Sequence, residues 1–362
     1  MARLLIVDDS ALMRRILREI LLEGGEHEIR TACDGEDALR QLAEWNPDLV
    51  TLDINMPQMD GLTCLARIMT DHPRPVVMVS SLTAQGALST LEALQMGAVD
   101  FVTKPSGTVS LDIRRVKEEL RAKVKAALGA RARRSSGGAP RQPVAASVAQ
   151  APASMKGTGA QGEGKPGLVM IGSSTGGPQT LELILPLLPA DFPLSVLVAQ
   201  HMPGGFTRAL AERLNAACQL KVGELSMAQP LRAGQVWIAR GDADVTLSKR
   251  GRELWAVPTP YAPQYLWHPS VERMVESALG QCQPSELIGV QLTGMGHDGA
   301  EALAQLHRRG GRTIAEAEHS CVVYGMPRAL VEKRGASVVL GADKVAAQLV
   351  TWARAQESRW AS

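Results

Sequence analysis

Leu168-Val169-Met170-Ile171-Gly172-Ser173-Ser174-Thr175-Gly176-Gly177-Pro178 decides how this chain is read. Leu168–Ile171 is an apolar run of strand length. Beyond the glycines, Leu181, Leu183, Ile184, Leu187 and Leu188 recur at helical spacing. A strand, a tight Gly-bounded turn carrying Ser and a helix make a nucleophile elbow of G-x-S-x-G form. Such a turn pushes the Ser174 hydroxyl out of the sheet edge, and the helix start beyond it offers free N–H groups that favour developing negative charge. That is the requirement of acyl transfer. A phosphate cradle is the competing reading, but the stretch lacks G-x-G-x-x-G and the Lys of a P-loop.

Ser174 needs a base and the base needs an orienting acid. His201 follows the apolar run Val196–Ala199 and Gln200, which places it at the end of the next strand. Asp298 lies in Leu292-Thr293-Gly294-Met295-Gly296-His297-Asp298-Gly299, again a Gly-rich turn after a strand. Three strand-end loops therefore supply Ser, His and Asp, the parts of a catalytic triad. Their chain order is Ser, His, Asp, whereas α/β-hydrolases run Ser, Asp, His, so that fold is not assigned. Among the other histidines, His27, His72, His307 and His319 read as structural or surface residues. His297 adjoins Asp298 and chain neighbours point apart. His268 reads as a side chain that lines or braces the cleft.

A second constellation precedes this one. Asp8 and Asp9 follow the first strand (Leu4–Val7), Asp53 follows the third (Leu49–Leu52), Ser80 ends the fourth (Val76–Val79) and Lys104 ends the fifth (Phe101–Thr103). With Glu28–Ala32 and intervening helices these make five βα units, hence a doubly wound parallel sheet whose strand ends meet at a ligand crevice. Three carboxylates there repel one another, and a hard cation such as Mg²⁺ relieves the repulsion. A carboxylate beside Mg²⁺ and Lys can accept a phosphoryl group.

Gly129 to Lys165 is rich in Gly, Ala, Ser and Pro, has no aromatic residue, and reads as a flexible linker. The last helix before it spans about Leu111 to Leu128. Arg131, Arg133 and Arg134 read as a solvated helix end. Beyond the linker, strands at Leu168–Ile171, Ser195–Ala199, Val236–Ala239, Leu287–Leu292 and Arg312–Ala315 define a second α/β unit. The expected division is residues 1–125, a linker over 126–165 and a catalytic domain over 166–355.

Length and composition fit a soluble globular protein of two or three domains. The chain has 362 residues, 45% hydrophobic and 21% charged. Lys plus Arg number 39 and Asp plus Glu 37, a net of +2 that argues for neither nucleic acid nor an anionic membrane as partner. No apolar run reaches the ~18 residues needed to span a bilayer. Met1–Val7 runs straight into a strand and an acidic pair, unlike a signal peptide. The five Cys are scattered without C-x-x-C, which suits reduced, packed thiols in a cytoplasmic protein.

Residues 1–125 resemble the receiver domain of two-component response regulators. The resemblance rests on Val7-Asp8-Asp9-Ser10, Leu52-Asp53-Ile54-Asn55-Met56-Pro57, Asp60-Gly61, Val79-Ser80-Ser81 and Phe101-Val102-Thr103-Lys104-Pro105. It implies that Asp53 is the phosphoacceptor and that Asp8 and Asp9, with Asp53, hold Mg²⁺. Ser80 and Lys104 would contact the phosphoryl group, Phe101 would be the switch aromatic, and the Lys104–Pro105 peptide would be cis.

From Leu168 onward the chain resembles the catalytic domain of chemotaxis protein-glutamate methylesterases, the CheB family. The matching stretches are Ile171–Pro178, Gln200-His201-Met202-Pro203, Phe206-Thr207, His268-Pro269-Ser270-Val271, Leu292–Gly296, Asp298-Gly299 and Cys321–Pro327. Ser173 stands where relatives usually carry Ala. The resemblance implies Ser174 as nucleophile, His201 as general base and then acid, and Asp298 as the orienting carboxylate. Met295 would supply an oxyanion N–H, and Thr175 would assist His201 or the oxyanion.

The implied substrates are glutamate γ-methyl esters on methyl-accepting chemotaxis proteins, with receptor glutamines deamidated by the same route. A CheA-type histidine kinase would be the phosphodonor and the enzyme a cytoplasmic monomer whose unphosphorylated receiver covers the esterase cleft. Mg²⁺ would serve the receiver, and the esterase would need no cofactor. A receiver-controlled serine hydrolase of another ester or amide is the other function compatible with the triad.

Overall fold

Each half of the chain winds strands and helices around a parallel sheet. A computed structural model describes residues 1–23, 25, 27–104, 110–135 and 167–361. The first half runs β1 (Ala2–Val7), α1 (Ala11–Leu22), β2 (His27–Ala32), α2 (Gly35–Trp45), β3 (Leu49–Asp53), α3 (Gly61–Asp71), β4 (Val76–Ser80), α4 (Ala84–Gln95), β5 (Asp100–Thr103) and α5 (Ser110–Ser135). Its sheet order is β2-β1-β3-β4-β5, the flavodoxin-like arrangement whose switch point lies between β1 and β3. Val7 pairs with Leu52, so Asp8 and Asp53 leave the sheet side by side. Ser10, Asp34, Asp60 and Thr83 cap α1 to α4, each side chain accepting a backbone N–H of the first turn.

α5 continues to Ser135, past the expected end at Leu128 and into the expected linker. Ala and Arg dominate residues 126–134, and both are strong helix formers. The rest of the linker, residues 136–165, and the Lys104–Pro105 peptide lie outside the described residues.

The second half holds β6 (Leu168–Ser173), α6 (Gly177–Ile184), β7 (Ser195–Gln200), α7 (Phe206–Ala217), β8 (Lys221–Leu225), β9 (Gln229–Pro230), β10 (Gln235–Ala239), β11 (Asp244–Arg250), β12 (Glu253–Thr259), α8 (Val271–Leu279), β13 (Leu287–Gln291), α9 (Ala300–Arg308), β14 (Arg312–Glu316), α10 (Met326–Glu332), β15 (Val338–Leu340) and α11 (Ala342–Ala361). Seven strands pair in the order β15-β14-β13-β6-β7-β10-β8. β6, β7 and β13 lie at its centre with every residue buried, as parallel strands covered on both faces must be. β11, β12 and β9 form a separate antiparallel sheet. That sheet and the edge strands β8 and β15 were not among the expected elements. No helix among the described residues is long and apolar enough to cross a membrane.

The halves pack through α4 against α6 and α7. Phe101 of β5, 3% exposed, stacks on Phe206 at the start of α7 with ring centroids 4.6 Å apart. Gln179 Nε2 donates to the Leu94 and Ala98 carbonyls at 3.1 and 3.2 Å, and Gln95 Nε2 donates to Glu182 Oε2 at 2.6 Å.

Candidate active site and receiver crevice

Ser174, His201 and Asp298 leave three adjacent strands, β6, β7 and β13, at the same edge. The direction of connection reverses at β6, since β7 lies on one side and β13 on the other, and such a switch point opens a crevice. The turn after β6 needs its glycines. Gly176 has φ +79°, and a Cβ there would meet Val322 Cγ2 at 2.5 Å. Gly294 lies so close to the elbow that a Cβ would stand 2.7 Å from Ser174 Cβ. The loop carrying Met295 is thereby pressed against the serine. The Met295 N–H joins none of the backbone pairs among the described residues, as an oxyanion donor requires.

His201 and Asp298 are paired, Nε2 to Oδ2 at 2.8 Å, with both side chains nearly buried. His201 Nδ1 is buried and has no partner among the described residues. Donation of Nε2–H to Asp298 thus leaves Nδ1 as the basic nitrogen. Asp298 Oδ1 also accepts from Ser270 Oγ at 3.0 Å and Glu272 N at 3.1 Å, and Oδ2 accepts from Val271 N at 2.7 Å. Burial opposes its ionisation. The His201 bond and charge, and the two N–H groups of the α8 terminus, outweigh burial and hold the carboxyl below its ordinary range. Glu272 is pushed up to about 7 by its partial burial and by the nearby Asp298 charge.

Two expectations take a different form, those for Thr175 and Ser173. Thr175 was expected to assist His201 or the oxyanion. Its hydroxyl, 2% exposed, instead donates to Asp100 Oδ2 of β5. The first half of the chain thus holds the elbow at the residue next to Ser174. Ser173 does more than replace a small residue, since its hydroxyl donates to Gln200 Oε1 at 2.6 Å. Gln200 Nε2 in turn donates to the Ser174 carbonyl at 2.9 Å. Register pairs Ser173 with Gln200, and only the strand order, which the sequence does not display, reveals that contact. His268 braces the cleft through Asp244 at 2.9 Å. His297 meets the edge of Trp267, with centroids 5.1 Å apart.

In the receiver crevice, Lys104 Nζ lies 2.7 Å from Asp53 Oδ2 and 3.0 Å from Asp8 Oδ2. Burial raises the Asp53 carboxyl above its usual range and the Asp8 charge adds to this, against the lowering effect of Lys104. Lys104 is held above its own ordinary value because the two carboxylates outweigh burial. One oxygen each from Asp8, Asp9 and Asp53 lie within 4.8 Å of one another. Three clustered hard oxygens at one strand edge fit Mg²⁺. Ser80 Oγ is turned away, donating to the Gly86 and Ser81 carbonyls at 3.3 Å.

Behind Phe101 lies a buried ammonium. Lys123 Nζ donates to the Phe101 carbonyl at 2.6 Å and pairs with Glu119 at 2.7 Å and Asp100 at 3.3 Å. Asp100 thus links the Phe101 backbone, the buried Lys123 ammonium and Thr175 of the elbow.

The family described as CheB methylesterase matches residues 169–349, and the response regulator receiver domain matches residues 4–114. Protein-glutamate methylesterase/protein-glutamine glutaminase 3 of Rhodospirillum rubrum is 54% identical over 97% of this chain and 96% of its own. The protein of the same name numbered 2 in Rhodopseudomonas palustris is 50% identical over 98% of this chain and 99% of its own. Among solved structures, the Thermotoga maritima CheB methylesterase catalytic domain aligns with TM-score 0.50 and 37% identity, covering 51% of this chain and 98% of that one.

Proposed function

The chain belongs to the CheB methylesterase family, and on that premise we propose that it is a phosphorylation-activated protein-glutamate methylesterase and protein-glutamine glutaminase of chemotaxis adaptation. The observation that carries the reading is the buried His201–Asp298 bond beside the Ser174 elbow, with His201 Nδ1 left free.

Ser174 Oγ attacks the γ-carbonyl carbon of a methylated glutamate while His201 Nδ1 takes its proton. The new oxyanion faces the Met295 N–H, a class of donor whose loss typically costs ~10²–10³ in rate. As the C–O bond breaks, His201 returns the proton to the leaving methoxide and methanol departs. Water then attacks the glutamyl-Ser174 ester with His201 again as base. This frees glutamate and restores the serine. With a receptor glutamine the leaving group is ammonia.

The substrates are methyl-accepting chemotaxis proteins, the phosphodonor is a CheA-type histidine kinase, and the enzyme acts in the cytoplasm as a monomer. The functional units are the receiver (1–125) and the catalytic domain (166–355), joined by the linker. Asp8, Asp9 and Asp53 would hold Mg²⁺, which neutralises charge as a phosphoryl group approaches. An Asp53 oxygen forms the new bond to phosphorus as the donor's bond breaks.

Phosphate on Asp53 then competes for Lys104 and draws Ser80 from the Gly86 carbonyl, so that β5 shifts and Phe101 leaves Phe206. An aromatic pair contributes ~0.5–1.5 kcal/mol and each net hydrogen bond about 1 kcal/mol. Interdomain contacts of this number match the ~5.5 kcal/mol that separates a mostly closed from a mostly open population.

The test is methanol release from radiomethylated chemoreceptor membranes, with acetyl phosphate and Mg²⁺, beside Ser174→Ala. Release in the wild type and none in the variant is expected. A wild type whose Ser174 labels with a fluorophosphonate yet releases no methanol would make it a hydrolase of another ester or amide.

A further inference from the structure

Asp298 is not the only buried acid at this edge. Asp244, the first residue of β11, is 2% exposed. Its Oδ1 accepts from His268 Nδ1 at 2.9 Å and Ser270 N at 2.8 Å. Its Oδ2 accepts from Arg273 Nη1 at 2.8 Å and Ala262 N at 3.1 Å. Arg273 Nη1 also donates to the Pro260 carbonyl at 2.8 Å. One carboxylate, anchored on the antiparallel sheet, therefore ties both ends of the segment from Pro260 to Ser270. Burial opposes its charge, but the His268, Ser270 and Arg273 donors outweigh burial and hold it at about 2, so it stays ionised throughout the neutral range.

The held segment reaches the catalytic pair at two places. Ser270 caps α8, with Oγ accepting from Arg273 N at 3.2 Å while donating to Asp298 Oδ1 at 3.0 Å. The next two residues aim their N–H groups at Asp298. Three of the four bonds to the catalytic carboxylate thus depend on where α8 begins. Trp267 lies parallel to the His201 ring, interplanar angle 5° and centroids 6.1 Å apart. It limits the planes His201 can adopt. Asp244 itself touches neither His201 nor Ser174 among the described contacts.

We propose that Asp244, acting through Ser270 and Trp267, is a positioning residue that aligns the His201–Asp298 pair with Ser174. The inference rests on the esterase reading. A role confined to stability would lower the amount of folded enzyme and leave turnover per active site unchanged. A positioning role lowers turnover in molecules that are folded, because a misplacement of about 1 Å at a catalytic group can cost ~10²-fold.

The experiment compares full-length wild type, Asp244→Asn, Ser270→Ala and Ser270→Thr in acetyl phosphate and Mg²⁺. Sites are counted by fluorophosphonate labelling of Ser174, folding is followed by circular dichroism, and kcat and KM are measured on methylated receptor membranes. Asp244→Asn and Ser270→Ala are expected to lose ~10- to 100-fold in kcat per labelled site with KM unchanged. Ser270→Thr, which keeps the hydroxyl, recovers most of the loss. Folded variants whose kcat per site stays within about twofold of wild type would overturn the inference; a tenfold change amounts to 1.4 kcal/mol. Should Asp244→Asn not fold, Arg273→Met decides, since it removes an Asp244 partner and leaves Ser270 and its bond to Asp298 in place; a kcat per site within about twofold of wild type there would overturn the inference. A wild type that neither labels nor releases methanol would overturn the esterase reading itself, and the inference with it.

Discussion

The two halves enter their helices differently. In the receiver half, α1 to α4 begin at Ser10, Asp34, Asp60 and Thr83, each side-chain oxygen accepting a backbone N–H of the first turn. In the catalytic half, α6, α7, α9 and α10 begin at Gly176, Gly205, Gly299 and Gly325 with no side-chain cap. Glycine costs only a few tenths of a kcal/mol against a good cap, and it lets backbone approach closely. The catalytic edge thus leaves helix N–H groups open to the reaction and brings loops against Ser174.

The charged groups follow the same division. Asp298 accepts four bonds, which fix both of its oxygens. Lys104 bridges two carboxylates and Ser80 points away from them, an arrangement that a phosphoryl group can rearrange. One edge is built to hold still and the other to move.

Substitutions can break that contrast in order of effect. Ser174→Ala should cost about 10⁶ in kcat, read as methanol release from methylated receptors. Asp298→Asn should cost about 10⁴, because the amide no longer holds the His201 tautomer in which Nδ1 is basic. A loss below tenfold would mean that the edge tolerates movement after all.

At the joint between the halves, Gln179→Ala removes two bonds to the receiver. With 1–2 kcal/mol withdrawn from the closed form, basal activity without phosphodonor should rise roughly 5- to 30-fold, and fully phosphorylated activity should not change. Equal basal activity would show that these bonds do not hold the receiver down.

The smallest effect is on stability. Asp244 falls from 3.8 to about 2 on folding, which at about 1.36 kcal/mol per unit is worth about 2 kcal/mol. A depressed carboxylate stabilises above its unfolded value and loses that stability as pH falls through its folded value. The Asp244→Asn thermal midpoint should therefore lie about 4–8 °C below wild type at pH 7. The gap should narrow as pH falls from about 4 toward 2.

What the sequence made legible were residues that terminate parallel strands. Asp8, Asp53, Ser174, His201 and Asp298 each follow an apolar run, and the chemistry of the residue type then names the role. What it hid were contacts between distant stretches. Thr175 meets Asp100, 75 positions away, a contact that neither the elbow stretch nor the family resemblance displays. Asp244 lies on a strand outside the expected set, although Asp244–Arg250 and Glu253–Thr259 alternate in burial around a tip where Gly251 has φ +62°. That alternation with a central glycine is a hairpin signal and would have found the sheet. β8 and β15 are short edge strands whose burial is only partial, and their apolar periodicity is correspondingly weak.

The central claim, that a receiver built to move covers a catalytic edge built to hold still, is tested most directly by the rate at which a fluorophosphonate labels Ser174. Acetyl phosphate with Mg²⁺ should speed labelling in the wild type and leave Asp53→Asn at its slow basal rate. Equal rates with and without phosphodonor, in a wild type shown to carry phosphate, would contradict it.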